Sequence, residues 1–125
     1  MPIVDIEFVT SDTEEGRAAL PTASALAAAI GGALHTAAGR TWVRVRTLAA
    51  GRYAENDVPA LSPAEWPVFV TVLHAHPPAG ALLAAEVQVL TQTIASCCAC
   101  STDRVHVQYA PAAAGRQAFG GSLVE

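Results

Sequence analysis

The sequence predicts a single α/β (α+β) domain made from a duplicated βαβ unit, with one four-stranded mixed sheet and two helices on one of its faces. Three observations lead there. The chain has 125 residues, the size of one core. Short segments with period-two or continuous apolar character alternate with two Ala-rich stretches of helical spacing. Their order is strand, helix, strand, then strand, helix, strand, which divides the chain into halves of about 1–56 and 57–125 with one plan.

The first strand is Pro2 to Thr10, with Val4, Ile6 and Phe8 on one side and Asp5 and Glu7 on the other. An acidic turn, Ser11 to Arg17, leads to a helix from about Pro21 to Ala38, where Leu26, Ile30 and Leu34 recur every fourth residue and Gly39 is placed as the stop. Thr41 to Leu48 alternates again, setting Val43 and Val45 against Trp42, Arg44 and Arg46. Ala49 to Trp66 carries Gly51, Pro59 and Pro63 and reads as a loop or short hairpin. Pro67 to His74 is a continuous apolar run, expected of a central strand buried on both faces. The second helix spans about Pro78 to Cys98, with Leu83, Val87, Leu90 and Ile94 inward. Asp103 to Tyr109 alternates Val105 and Val107 against His106 and Gln108, and the glycine-containing tail is a closing turn with a short edge strand. One sheet face is therefore polar, carrying Asp5, Glu7, Arg44, Arg46, His106 and Gln108, with Arg44 and Arg46 expected to pair with Asp5 and Glu7.

Composition narrows the function classes. Hydrophobic residues make up 52% and charged residues 14%, a thin polar coat that predicts a covered surface in a homo-oligomer. The net charge is −4 and all seven basic residues are arginines without a cluster, which argues against nucleic acid. No uninterrupted apolar run reaches the ~18 residues of a membrane span and no signal peptide opens the chain, so the expectation is a cytoplasmic protein without a membrane partner. Cys97, Cys98 and Cys100 lie too close together for a disulfide framework. The Cys97/Cys100 spacing lacks a second ligand pair, and His74 and His76 lack a third ligand, so no metal is expected.

A proline at position 2, opening the first strand of a duplicated βαβ chain of this length, resembles the tautomerase superfamily. That resemblance implies a homotrimer, an N-terminal proline exposed by loss of Met1, small 2-oxo acid substrates and no cofactor. The segment Asp103 to Tyr109, continued to Phe119, resembles the end of the macrophage migration inhibitory factor family, which has Tyr, Asn and Trp where this chain has His106, Gln108 and Phe119. Those positions are implied to line a site across a subunit interface. Ala38-Gly39-Arg40 falls where that family has Gly-Lys, so Arg40 is implied to bind the substrate, with Arg116 the second candidate. The segment Val70 to His74 and the tail Ala113 to Val124 are similar to malonate semialdehyde decarboxylases and cis-3-chloroacrylic acid dehalogenases. Those families place two arginines after the third strand, where this chain reads Ala75-His76-Pro77-Pro78.

The implied chemistry suits these residues. A free α-amine titrates near ~7.7–8.0, and an apolar pocket lowers that value, leaving a free-base Pro2 nitrogen that takes and returns a proton beside a carbonyl. Without lysine, the carboxylate and enolate oxygen must meet Arg, His, Gln or backbone N–H groups. The expected site is Pro2 as acid-base group, with Arg40, Arg116, His106, Gln108 and Phe119 as binding residues and His74 and His76 as further candidates. Decarboxylation or hydration of a small acid is an alternative. A ferredoxin-like binding or assembly module is another, and strand direction separates it from the leading reading.

Overall fold

A computed structural model describes residues 2–125. Its elements are β1 (Ile3–Thr10), α1 (Glu14–Ala18), α2 (Ala23–Ala33), β2 (Trp42–Ala49), β3 (Val68–Leu73), α3 (Gly80–Cys98), β4 (Val105–Tyr109), β5 (Ala118–Phe119) and β6 (Ser122–Leu123). The main sheet runs β2-β1-β3-β4, and β5 and β6 form a separate antiparallel hairpin. β1 pairs with β2 in parallel and β3 with β4 in parallel, while β1 and β3 meet antiparallel at the centre. A ferredoxin-like plait pairs its strands antiparallel throughout, so the two parallel pairs set that alternative aside.

Alternation explains the layering. Val4, Ile6 and Phe8 of β1 and Val68, Val70 and Val72 of β3 are buried against Leu26 and Ile30 of α2 and Leu90 and Ile94 of α3. The opposite face carries Asp5, Glu7, Arg44, Arg46, Thr71, His106 and Gln108 together with Phe69.

Four details differ from the sequence reading. β3 is fully buried on one face only, because Phe69, Thr71 and Leu73 turn to the open side. Part of the expected acidic turn is the short helix α1, capped by Thr13, whose hydroxyl accepts the Gly16 N–H at 3.0 Å. The helix expected to run to Ala38 ends at Ala33. The stop falls on His35 rather than Gly39: His35 is left-handed with φ +56°, and the Thr36 and His35 N–H groups return to the Gly31 and Gly32 carbonyls. α3 stops in the same way on Ala99, with φ +51°. The stretch 49–66 holds two short 3₁₀ turns and no hairpin, tied down by the Ser62 N–H and hydroxyl donating to Glu65. That double donation holds the Glu65 carboxyl below its ordinary range.

α3, at 19 residues, is long and apolar enough to cross a bilayer by length and composition, although the sequence reading expected no such segment. Here Leu90, Ile94 and Ala95 of that helix are buried in the domain core, and its Glu86 is hydrogen-bonded to β3 and β4 neighbours.

Candidate active site

The head of β1 is where the expected proton-transfer residue lies. Pro2 is buried, and its carbonyl accepts the N–H of Trp42 at 3.1 Å, which ties the first described residue to the start of β2. Met1, whose loss would expose the Pro2 amine, lies outside the described residues. Beside this point is a cavity of about 210 Å³ lined by Ile3, Leu73, Ala75, Ala113, Phe119 and Val124. All six are apolar, so the cavity favours a nonpolar group and lacks a charged partner of its own.

The tail builds its outer wall. After β4 the chain is held to the end of β3 by the Ala113 N–H on the His74 carbonyl (2.8 Å) and the Ala114 N–H on the Ala75 carbonyl (3.2 Å). It then turns through Gly115 and returns, with the Gly115 N–H on the Val124 carbonyl at 2.7 Å. This closure brings Phe119 against Trp42, edge to face at 5.2 Å between ring centroids. Trp42 in turn donates its indole N–H to the Gly39 carbonyl at 3.1 Å, so the aromatic pair braces the loop that carries Arg40.

Arg40 is exposed in that loop, one residue from Gly39 and two from Trp42, and forms no salt bridge among the described residues. Arg116 is exposed in the turn that follows Ala113. Both cations thus belong to loops that adjoin cavity-lining or rim residues, and neither forms a salt bridge among the described residues.

His74 and His76 have different surroundings. His74 is half-buried, with Nε2 2.9 Å from Glu86 Oε2 and its ring stacked on Tyr109 at 6.0 Å. The Tyr109 hydroxyl donates to the same Glu86 oxygen at 2.5 Å, and burial, with that carboxylate second, pushes the phenol well above its usual range. His76 Nε2 contacts the Glu125 carbonyl oxygen at 2.8 Å.

His106 and Gln108 are not beside the cavity within one chain. In the ladder they face Phe69 and Thr71, whereas the cavity begins at the Ile3–Leu73 pair, about 7 to 13 Å further along the strands. Gln108 Nε2 donates to the Thr71 hydroxyl at 2.9 Å, and the His106 ring lies 5.7 Å from Phe69. They line a wider hollow of about 550 Å³ on the open sheet face, together with Asp5, Glu7 and Arg46. Although larger, that hollow is a shallow concavity of charged strand residues, remote from the proline. Arg44 pairs with Asp5 there through Nε–Oδ1 (2.5 Å) and a second nitrogen (2.8 Å), as the strand neighbours suggested. Arg46, opposite Glu7 in the ladder, forms no salt bridge among the described residues.

No protein-family model and no curated protein matches the sequence. Solved structures do. A fused 4-OT, wild type and described as an asymmetric trimer, is similar with a TM-score of 0.72 and 16% identity over 97% of this chain and 94% of that one. Macrophage migration inhibitory factor from Oncomelania hupensis is similar at TM-score 0.69 and 16% identity, covering 100% of this chain and 83% of that one. A malonate semialdehyde decarboxylase follows at TM-score 0.62 and 20% identity, over 94% and 90% of the two chains. The chain has the tautomerase-superfamily fold.

Within this tautomerase fold, Phe119 is the one expected site residue that lines the cavity, Pro2, Arg40 and Arg116 stand in adjoining segments, and several groups around them were not expected. Trp42, placed by the sequence only on the strand face it shares with Arg44 and Arg46, joins the rim through its edge contact with Phe119. Leu73, Ala75, Ala113 and Val124 carry no chemical signal in the sequence, being ordinary small or aliphatic residues. Glu86 and Tyr109 escaped notice because they lie 12 and 23 residues from their partners.

Proposed function

We propose that this protein is a cofactor-independent, cytoplasmic tautomerase that moves a proton between carbon and oxygen of a small 2-oxo acid, with the Pro2 amine as acid-base group after loss of Met1. The observation that carries this reading is the apolar cavity at the head of β1, lined by Ile3 next to buried Pro2, with Arg40 and Arg116 exposed in nearby loops and in no salt bridge among the described residues. Apolar surroundings disfavour the ammonium form and leave a free base near neutral pH. The nitrogen removes the proton next to the carbonyl, the C–H electron pair becomes the enolate double bond, and the proton is delivered to oxygen. Arg40 or Arg116 holds the carboxylate, and Phe119 covers the substituent.

The proposed assembly is a homotrimer with the open sheet faces turned inward. Support comes from the concave open face with its polar side chains, from Arg46 forming no salt bridge among the described residues, and from the trimer named for the fused 4-OT structure. Such an arrangement gives His106 and Gln108 their role, as wall residues supplied to a neighbouring subunit's cavity. The test is activity of the Met1-free protein, verified by intact mass, toward phenylenolpyruvate and 2-hydroxymuconate, with Pro2→Ala in parallel. Loss of activity by about 100-fold or more in Pro2→Ala is expected for a removed general base; full activity would refute the reading.

Decarboxylation or hydration is the second reading, favoured by the likeness to malonate semialdehyde decarboxylase. His76 lies in the stretch, Ala75-His76-Pro77-Pro78, where those enzymes have arginines, so turnover of malonate semialdehyde without tautomerase activity would select it.

A further inference from the structure

His74, Glu86 and Tyr109 form a half-buried polar cluster that the proton transfer described above does not use. The ladder between β1 and β3 ends at the pair Ile3–Leu73, so Pro2 and His74 are each the next residue beyond it on neighbouring strands. Alternation sends both toward the helix side, the side of Val4 and Val72, and the His74 contact with Glu86 of α3 agrees with that direction. The titratable groups in contact with the cluster are Glu86 from α3 and Tyr109 from β4, and the strand register sets Pro2 across from His74. His76, two residues on, is turned to the Glu125 carbonyl.

A carboxylate only accepts hydrogen bonds, so the 2.9 Å contact requires that His74 Nε2 carry a hydrogen. A neutral ring then has its lone pair on Nδ1. Tyr109 donates to the same oxygen and stacks on the ring, which fixes both the carboxylate and the plane of the imidazole. We propose that Glu86 and Tyr109 hold His74 as a positioning residue whose Nδ1 lone pair accepts a hydrogen bond from the Pro2 amine. The inference rests on Pro2 being the acid-base group. The acceptor orients the single amine N–H toward the helix layer and leaves the nitrogen lone pair for the substrate. It also stabilises the ammonium that forms after proton abstraction, opposing the effect of burial, and so brings the amine's titration back toward neutrality.

The test is a ¹⁵N NMR titration of the Pro2 amine in Met1-free protein, wild type against Glu86→Gln and His74→Gln, with pH profiles of kcat/KM measured alongside. Both variants should move the amine titration and the acid limb of the profile down together, by about 0.5–1 pH unit, because burial is then less opposed. Folded variants with unmoved titrations would overturn the inference while leaving Pro2 as the base if Pro2→Ala is inactive. Should Pro2→Ala keep full activity, the reading of the base fails, and the amine titration still decides the coupling. A measurement on unmutated protein guards against variants that do not fold. In the neutral ring, the His74 Nδ1 must show the ¹⁵N shift of an unprotonated nitrogen, and an Nδ1–H tautomer would overturn the proposal.

Discussion

Filling the cavity offers a direct test of its role, because the same substitution reports on stability and on function. Ala113 is buried, with 4% exposure, and its side chain forms part of the lining. The cavity of about 210 Å³ corresponds to roughly seven waters at their liquid volume, ample for the three extra carbons of a leucine. Burying those carbons at ~0.8 kcal/mol each gives an upper bound of about 2.4 kcal/mol, and cavity-filling changes commonly deliver about 0.5–2. Ala113→Leu should therefore raise Tm by about 3–8 °C in thermal unfolding followed by circular dichroism. A rise in Tm shows that the leucine occupies the cavity. If the same space takes the substrate's apolar substituent, losing burial worth about 2–3 kcal/mol lowers kcat/KM for phenylenolpyruvate by about 30- to 150-fold. The enol of pyruvate, which has no large substituent, should lose far less. A stabilised Ala113→Leu with unchanged kcat/KM for the aromatic substrate would refute the assignment of this cavity as the binding site.

Other expectations concern the arginines, the assembly and the thiols. Arg40→Ala should mainly raise KM, by about 10- to 100-fold for a lost charge-assisted contact, as steady-state kinetics would report; Arg44→Ala should leave KM unaltered and weaken assembly, since Arg44 is engaged by Asp5 on the open face. Light scattering should give about 38 kDa for three chains of 12.8 kDa, and a monomer at micromolar concentration would remove His106 and Gln108 from the site. Burial raises the Cys98 thiol to about 12, so at pH 8 only about one molecule in ten thousand carries that thiolate and iodoacetamide should label Cys98 last of the three thiols. Because the folded value lies above that of the unfolded thiol, this group's contribution to stability is complete below pH ~8.5 and is lost as pH rises toward 12, which urea midpoints of wild type and Cys98→Ala would reveal as a shallower alkaline decline in the variant.

Most of the scaffold was legible because each strand writes its faces into its spelling. Val4, Ile6 and Phe8 against Asp5 and Glu7 can pack in one way only once a helix layer covers one side. β3 misled because Phe69 and Leu73 are as apolar as a fully covered strand requires, and the lone hydroxyl of Thr71 among them is too weak a mark of which side is open. The helix stop was misplaced for a related reason. A glycine is the usual left-handed residue, yet Gly39, with φ +76°, serves the next turn, and the stop fell on a histidine that hydrogen bonds hold there. Pro2, Phe119 and Arg40 entered as candidates through resemblance, since no spacing in the chain marks them. The Glu86–His74–Tyr109 cluster was not, since three elements must first pack before those side chains meet.

Neither main helix finishes on a glycine, and that choice governs how the loops behind them move. His35 and Ala99 occupy a backbone region that costs an L-residue about 1–2 kcal/mol, so His35→Gly and Ala99→Gly would relieve local strain while widening the range of shapes open to the unfolded chain. Retaining a side chain at position 35 leaves the segment from Thr36 to Arg40 fewer ways to rearrange, helped by the 2.6 Å contact between the Thr36 and Thr41 hydroxyls. The arginine at the end of that segment is thus mounted on a short, stiff bracket rather than a tether, and an anion arriving at the rim meets a charge whose backbone position was fixed when the helix stopped.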